Sequence, residues 1–264
     1  MTRLAVMVAA YTLLLCAAVR ATPTAQSAQR LCDFSRIRAW KGYTSCVDAV
    51  VAEEAKARVG GLLEIAKFAK CRHTYFKNWT AFQAKVSLSG STCIGTRFTD
   101  NGDGTVTDAL TGLVWEKKDN MDFTPNLADP HDADNEYTWC AGSVGSCTNP
   151  TDPPDGTAFT SFLETLNSGG GFAGANGWRL PTLPELQSIM LDYPCTGTGG
   201  GPTCQCGSIP CVDAVFGPTN RNNHWSATSY LPDPNGAWTV GFPGDIPANG
   251  KTSSLPVRAV RGGL

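Results

Sequence analysis

Apolar side chains recur every three or four positions in the first third of the chain, which is the period of an α-helix. This period holds over residues 37–50 and again over residues 68–82. Gly60 and Gly61 lie between the two runs and indicate a turn. The pattern therefore predicts an α-helical hairpin over residues 32–94, preceded by a linker at residues 22–31.

Four cysteines lie where they can staple this hairpin. Two antiparallel helices bring Cys46 and Cys71 to either side of the turn, and Cys32 and Cys93 near the open end. We therefore predict the disulfides Cys46–Cys71 and Cys32–Cys93. They supply stability that two helices lack, because a helical pair alone buries little apolar surface.

From residue 97 onward the pattern changes to short extended runs. Three such runs, separated by Asn, Asp and Gly, make up RFTDNGDGTVTDALTGLVW at residues 97–115. A calcium loop aligned here puts Asn101 and Asp103 at ligand positions. It leaves Thr99 in the first position and Leu110 in the twelfth, where an acid is needed. The stretch therefore predicts a β-meander.

Two helices and further strands follow. Apolar residues between 158 and 166 lie on one helical face. In NGWRLPTLPELQSIM, Thr182 indicates a helix N-cap and Glu185 completes a capping box, which gives Glu185 a structural role. Strands are predicted at residues 224–228, 237–242 and 256–261. These elements predict one α+β domain at residues 95–264 with a mostly antiparallel sheet.

The N-terminus has the pattern of an export signal. Arg3 precedes an apolar run at residues 4–19, which is shorter than the ~20 residues that a membrane-spanning helix needs. We predict a signal peptide at residues 1–21, no transmembrane segment, and a protein that is extracellular, at the cell surface or in the periplasm.

The cysteine count agrees with export. Setting Cys16 aside leaves an even number, which in an oxidising compartment indicates disulfides. A zinc site at the cluster of residues 204–211 is the alternative. Local closure favours Cys140–Cys147, but the pairing of the last four cysteines stays open. The ten are Cys32, Cys46, Cys71, Cys93, Cys140, Cys147, Cys195, Cys204, Cys206 and Cys211.

Charge is divided unevenly along the chain. Residues 30–96 contain 11 Lys and Arg against 5 Asp and Glu, a net charge of +6. Residues 97–264 contain 8 against 18, a net charge of −10. The asymmetry indicates two units. The basic hairpin suits an anionic partner or presents a solvated helix face, and we favour the second interpretation. Nucleic acid is not a predicted partner.

Four motifs occur in a fixed order: RFTDNGDGTVTDALTGLVW, GWRLPTLPELQSI, HWSATS and PVRAVRGG. Together they resemble the C-terminal domain of the Legionella collagen-like protein family, over residues 95–264. The resemblance implies a fold similar to C-type lectins and formylglycine-generating enzymes, with a twisted sheet and two helices. It also implies a bacterial adhesin, since better-known members bind sulfated polysaccharides. Many relatives have Cys where this chain has Ala259, so its disulfide set must differ.

A non-catalytic binding module for a glycan or another surface ligand is the function that these features favour. Arg221, Asn222, Asn223 and His224 group four polar side chains just ahead of a predicted strand, and they form the candidate binding loop. The acidic charge of the domain disfavours long polyanions. A purely structural envelope protein is the alternative.

Enzymatic activity is less favoured. The three histidines, His73, His131 and His224, have no partner at a spacing typical of a metal site or a catalytic triad. An oxidase of the formylglycine-generating type needs free cysteines, whereas ten cysteines here can pair. We predict no catalytic residues, metal ligands or cofactor. An acidic run could bind calcium between loops, but we favour a solvated loop for it. The run is formed by Asp119, Asp122, Asp129, Asp132, Asp134 and Glu136.

Overall fold

The computed structural model describes residues 25–57, most of 67–84, 97–142, 147, 153–190 and 209–263. Several predictions concern features outside these residues. They are the signal peptide at residues 1–21, the turn at Gly60 and Gly61, the Cys32–Cys93 pairing, and Cys195, Cys204 and Cys206.

Helix α1 spans Ala25–Ala57, and the described residues between 67 and 84 form a second helical stretch. The helix begins at Ala25 and so covers most of residues 22–31, which we predicted as a linker. The residues there include Ala, Gln, Arg and Leu, which all favour helix, and no Gly or Pro interrupts them. Within the described residues, no helix is long and apolar enough to cross a membrane.

A disulfide joins Cys46 of α1 to Cys71 of the second helical stretch, which is the pairing favoured by the sequence. Burial on α1 follows the predicted helical period. Among the side chains of α1 that the structure describes, the buried ones are Trp40, Tyr43, Val47 and Val50.

The domain that follows is built from antiparallel strands. One sheet has the order β1 (Phe98–Asp100), β2 (Thr105–Asp108), β3 (Leu113–Glu116) and β9 (Val260–Gly262). A second sheet has the order β5 (Asn223–Ser229), β6 (Gly236–Gly241) and β7 (Ala248–Gly250). Strands β4 (Tyr137–Thr138) and β8 (Ser254–Leu255) form a separate pair. With its helices, the chain is α+β, as predicted.

The turn between β1 and β2 confirms the predicted meander. Gly102 and Gly104 have φ angles of 77° and 83°, in the left-handed region that favours glycine. The Asp103 carboxylate accepts hydrogen bonds from the Thr105 backbone N–H (3.0 Å) and hydroxyl (2.6 Å). The Asp100 carboxylate accepts one from the backbone N–H of Gly102 (2.9 Å). The hydrogen bonds to these two carboxylates hold the turn in its conformation.

Both predicted helices of the domain are present. The first, α2, is π-helical at Ala158–Leu163 and continues as α-helix at Glu164–Asn167. The second, α3, spans Leu183–Ser188 and begins with the predicted capping box. The Glu185 carboxylate accepts the Thr182 backbone N–H at 2.8 Å and two hydrogen bonds from Arg179, each 2.7 Å. Glu185 therefore has the structural role that the sequence indicated.

Strand β6 is the middle strand of the second sheet, and all of its residues are buried. Successive strand residues point to opposite faces, so Ala237 enters the core on the α2 side and Trp238 enters the core shared with α1 and α3. The Phe68 ring packs edge-on against Trp238 with centroids 5.5 Å apart, and the Tyr43 hydroxyl donates to Gln187 Oε1 at 2.7 Å. The hairpin thus shares its core with the domain, although sequence composition divides the two.

Candidate functional site

The four residues of the predicted binding loop are divided between surface and core. Arg221 and Asn222 are exposed, and Asn223 is half-buried at the start of β5 with its amide 3.3 Å from Asn249 Oδ1. His224 is only 2% exposed and its ring packs edge-on against Phe242. The side chain of His224 therefore does not lie on the surface where we expected it. The reason is that β5 is covered on both of its faces at this point, since the adjacent residues His224, Trp225 and Ser226 are all buried.

The environment of His224 keeps its ring neutral. Burial and, after it, the positive charge of Arg258 lower the pKa of His224 to about 3. Its Nδ1 lies 2.9 Å from the carbonyl oxygen of Asn222, to which the neutral ring donates. His224 thus supports the backbone beneath Asn222.

A buried carboxylate, Glu116 at the end of β3, organises the interior next to this loop. Its Oε1 is 2.8 Å from Lys118 Nζ and 3.1 Å from His131 Nδ1, and its Oε2 accepts the Ala259 backbone N–H at 3.0 Å. Burial alone would raise the pKa of Glu116, but the charge of Lys118 and the contact with His131 outweigh it, so the pKa is lowered. The carboxylate is therefore ionised and satisfied on both oxygens.

Two buried cations complete this cluster. Lys118 also donates to the carbonyl of Pro130 at 2.9 Å, and burial lowers its pKa. Arg258, from the PVRAVRGG motif, donates to the carbonyls of Glu116 (2.9 Å) and Phe216 (3.0 Å), and burial lowers its pKa to about 10. Because these cations bind main-chain carbonyls, the cluster fastens backbone segments together under the surface.

The segment that it fastens is residues 119–136, which we call the acidic loop. Its carboxylates bind the loop's own backbone. Asp129 accepts the N–H of His131 (2.9 Å), and Asp132 accepts that of Asp134 (2.8 Å). The Asn135 amide donates to the Asn126 and Asp129 carbonyls, at 2.9 and 2.7 Å. The loop is therefore ordered by local hydrogen bonds, although it contains only one isolated β-bridge.

Apolar side chains project from this ordered loop into solvent. Phe123 is 86% exposed and Leu127 is 66% exposed. Phe123 also has a φ of 66°, which is unfavourable for a side-chain-bearing residue. The Asp134 carboxylate holds this backbone by accepting the Phe123 N–H at 2.6 Å.

An open depression of about 490 Å³ lies beside the Phe123 ring. The Asn222 amide donates to Glu136 Oε1 at 3.3 Å, which brings the predicted binding loop to its rim. We call the depression and this amide the Phe123 surface. Its residues are Phe123, Pro125, Leu127, Asp134, Glu136, Ser254 and Asn222.

The acidic run that the sequence offered for calcium is dispersed. Asp132 and Asp134 are buried and accept backbone N–H groups, whereas Asp119, Asp122 and Glu136 are exposed. Among the described residues, one trio of metal-ligand side chains comes together, formed by Cys140, Cys147 and Asp155. The disulfide Cys140–Cys147 removes both thiolates from that trio. This pairing is also the one favoured by the sequence, and Cys211 is disulfide-bonded as well.

Sequence reasoning missed the Phe123 surface. The available signal was the placing of Met121, Phe123 and Leu127 in a run rich in Asp and Pro, without helix or strand period. Large apolar residues are usually buried, so the sequence alone gave no reason to expect these three side chains in solvent.

Comparison with protein families finds a match between residues 104–261 and the Lcl C-terminal domain. The match begins inside the turn between β1 and β2 and ends in β9, so it covers the acidic loop and Arg258 and leaves out the helical hairpin. Neither the curated proteins nor the solved structures contain a significant match.

Proposed function

Because the chain belongs to the Lcl C-terminal domain family, we propose that it is an exported, non-catalytic binding module that recognises a glycan through the Phe123 surface. Two of the residues predicted to bind a ligand, Arg221 and Asn222, lie at or next to this surface. The role is adhesin-like, with the ligand on another cell or matrix.

The observation that carries the proposal is the state of Phe123. An aromatic ring that is 86% exposed gains little from folding, and a φ of 66° adds backbone strain. The buried carboxylate of Asp134 holds the residue in that conformation. The exposed ring and the strained backbone are both unfavourable, yet the hydrogen bond to Asp134 maintains them. We infer that a ligand covers the ring and stabilises it.

The rim of the depression supplies polar groups suited to sugar hydroxyls. Glu136 offers carboxylate oxygens, Ser254 a hydroxyl, and Asn222 an amide with both donor and acceptor. The Phe123 ring offers an apolar face for the C–H side of a sugar ring. An apolar floor with a few polar groups is the usual composition of a small-ligand site.

The wider structure supports this role. We infer a C-type-lectin-like fold, for which the α+β class, the antiparallel sheets and helices α2 and α3 are suitable. In such a scaffold a loop held by rigid strands presents the ligand site. The disulfides Cys46–Cys71 and Cys140–Cys147 suit an oxidising compartment, which supports export.

A glycan array probed with the disulfide-bonded chain tests the proposal. We expect binding by the wild type and a loss of about tenfold or more in the double variant Phe123→Gly, Asn222→Ala. The matched control is Leu231→Ala, which removes an exposed apolar side chain that does not line the depression. Repeating the array with a chelator distinguishes calcium-dependent binding from calcium-independent binding.

An array on which the wild type binds no glycan would overturn the proposed function. Equal binding by the wild type and a folded double variant would overturn the assignment to the Phe123 surface.

A further inference from the structure

The charge around the Phe123 surface is mostly negative. The acidic loop contains six Asp and Glu and no Lys or Arg. The neighbouring cation Lys118 is buried and directed at Glu116 and the Pro130 carbonyl, away from solvent. Arg221, next to Asn222, is the exposed cation that partly opposes this field. A ligand that reaches the depression therefore meets a net negative potential.

The aromatic ring and the carboxylates favour the same kind of ligand group. An ammonium group is attracted to the face of an aromatic ring and to a nearby carboxylate. Phe123 presents such a face, and Glu136 lies on the rim of the same depression. Resting on the proposed function, we propose that the ligand is an amino-sugar glycan, a polysaccharide whose sugar rings carry free ammonium groups.

The hydrogen bonding of the loop favours a sugar over a basic peptide. An extended peptide gains affinity mainly by pairing its main chain with exposed backbone groups. Here the backbone N–H groups of Phe123, Thr124 and Ala128 are already bound to side chains of the same loop. The polar side chains at the rim are Glu136, Ser254 and Asn222, which suit hydroxyl and ammonium groups. Glu136 and Asn222 share one hydrogen bond, which leaves the second carboxylate oxygen and the amide oxygen for a ligand.

The test compares two oligosaccharides that differ mainly in charge. Binding of a glucosamine hexamer and of an N-acetylglucosamine hexamer to the full disulfide-bonded chain is measured by titration calorimetry. We expect the glucosamine hexamer to bind about tenfold more tightly, the combined size of a cation–π contact and an exposed ion pair. The preference should shrink as salt is added.

Variants assign the preference to the surface. Glu136→Gln should lower the ratio of the two affinities to about threefold, because the ion pair is lost while the cation–π contact with Phe123 remains. Glu164→Gln, which changes an exposed acid on α2, should leave the ratio unchanged. Phe123→Gly should weaken both hexamers, and its unfolding transition checks that it folds. A ratio that Glu136→Gln and Glu164→Gln change equally would overturn the assignment to this rim.

Other outcomes overturn the inference in distinguishable ways. Equal affinity for the two hexamers means that charge does not select the ligand. A lysine hexapeptide that binds as tightly as the glucosamine hexamer means a general cation site. If the array shows glycans bound but neither hexamer binds, this inference fails and the proposed function stands. An empty array overturns both.

Discussion

Two acidic segments follow each other in this chain, the turn at residues 101–104 and the acidic loop at residues 119–136. Both are rich in Asn and Asp, and both use carboxylates to bind their own backbone. Two consecutive lysines directly follow β3, and one lies beside each segment. Lys117 pairs with Asp100 beside the turn and is solvent-accessible, whereas Lys118 lies buried beneath the loop.

The difference between the two lysines explains why only one segment presents a candidate site. The turn is short and is held by two glycines at positive φ, so it needs no buried charge. The acidic loop is long and is anchored from below by Lys118, which donates to the Pro130 carbonyl, and by Glu116, whose Oε1 lies 3.1 Å from His131 Nδ1. An anchored loop can hold Phe123 in solvent ready for a ligand. The loop is already ordered in the free protein, so ligand binding does not lose the conformational entropy of ordering it.

The largest predicted effect is the loss of the buried lysine. Lys118→Met leaves Glu116 buried with one cation contact fewer and releases the Pro130 carbonyl. We expect a loss of about 3–5 kcal/mol in the free energy of unfolding, because removing one partner of a buried ion pair leaves the other uncompensated. Urea denaturation measures it.

Lys117→Met is the matched control. Its ion pair with Asp100 is screened by solvent, so stability should stay nearly unchanged. Equal losses in Lys117→Met and Lys118→Met would show that the buried cluster does not anchor the loop as described.

The second effect is a dependence on pH. His224 has a folded pKa of about 3, below its ordinary value of 6.5, so the folded state favours the neutral ring. Its contribution to stability is complete above pH 6.5 and is lost as pH falls toward 3. Between pH 6.5 and pH 4 we expect a loss of about 3 kcal/mol.

Urea denaturation of the wild type and His224→Leu at the two pH values isolates this contribution. The variant should begin less stable, because its contact with the Asn222 carbonyl is gone, and should lose less on acidification. A variant as sensitive to acid as the wild type would contradict the burial of His224.

The third effect compares the two glycines of the turn. Gly102→Ala and Gly104→Ala both place a side chain at positive φ, which costs about 1–2 kcal/mol. A Cβ at Gly104 would also lie 2.9 Å from the Phe172 ring, whereas one at Gly102 meets nothing within 4 Å. We expect Gly104→Ala to cost about 1 kcal/mol more in chemical denaturation. Equal costs would indicate that Phe172 moves aside freely.

The smallest effect concerns the stability of the exposed ring. Phe123→Gly removes strain at a φ of 66° and little buried surface. We expect unfolding free energy to stay unchanged or rise by up to about 1 kcal/mol. Phe123→Ala keeps the strain and should show no gain. A loss of about 1 kcal/mol or more in both variants would mean that the ring packs against the protein. A Phe123→Gly variant less stable than Phe123→Ala would mean that the backbone at Phe123 is not strained.

The sequence by itself determined the features that depend on near neighbours. The meander of β1, β2 and β3, the capping box at Thr182 and Glu185, and the helical periods are set by residues within a few positions of each other. The disulfide Cys46–Cys71 followed from the predicted helical hairpin, and Cys140–Cys147 followed from the short loop between its cysteines. The family could also be recognised, because its motifs are local strings in a fixed order.

Tertiary structure alone decided the candidate site. Glu136 meets Asn222 from 86 positions away, and Glu116 accepts the backbone N–H of Ala259 from 143 positions away. Sequence pattern says that a short strand has two faces, but it does not say which of them is covered, so the burial of His224 could not be read from it. Phe123 lies in a loop without any period, so its exposure could not be read from the pattern either. Packing between distant segments assigns those faces, because apolar burial depends on total contact and not on position along the chain.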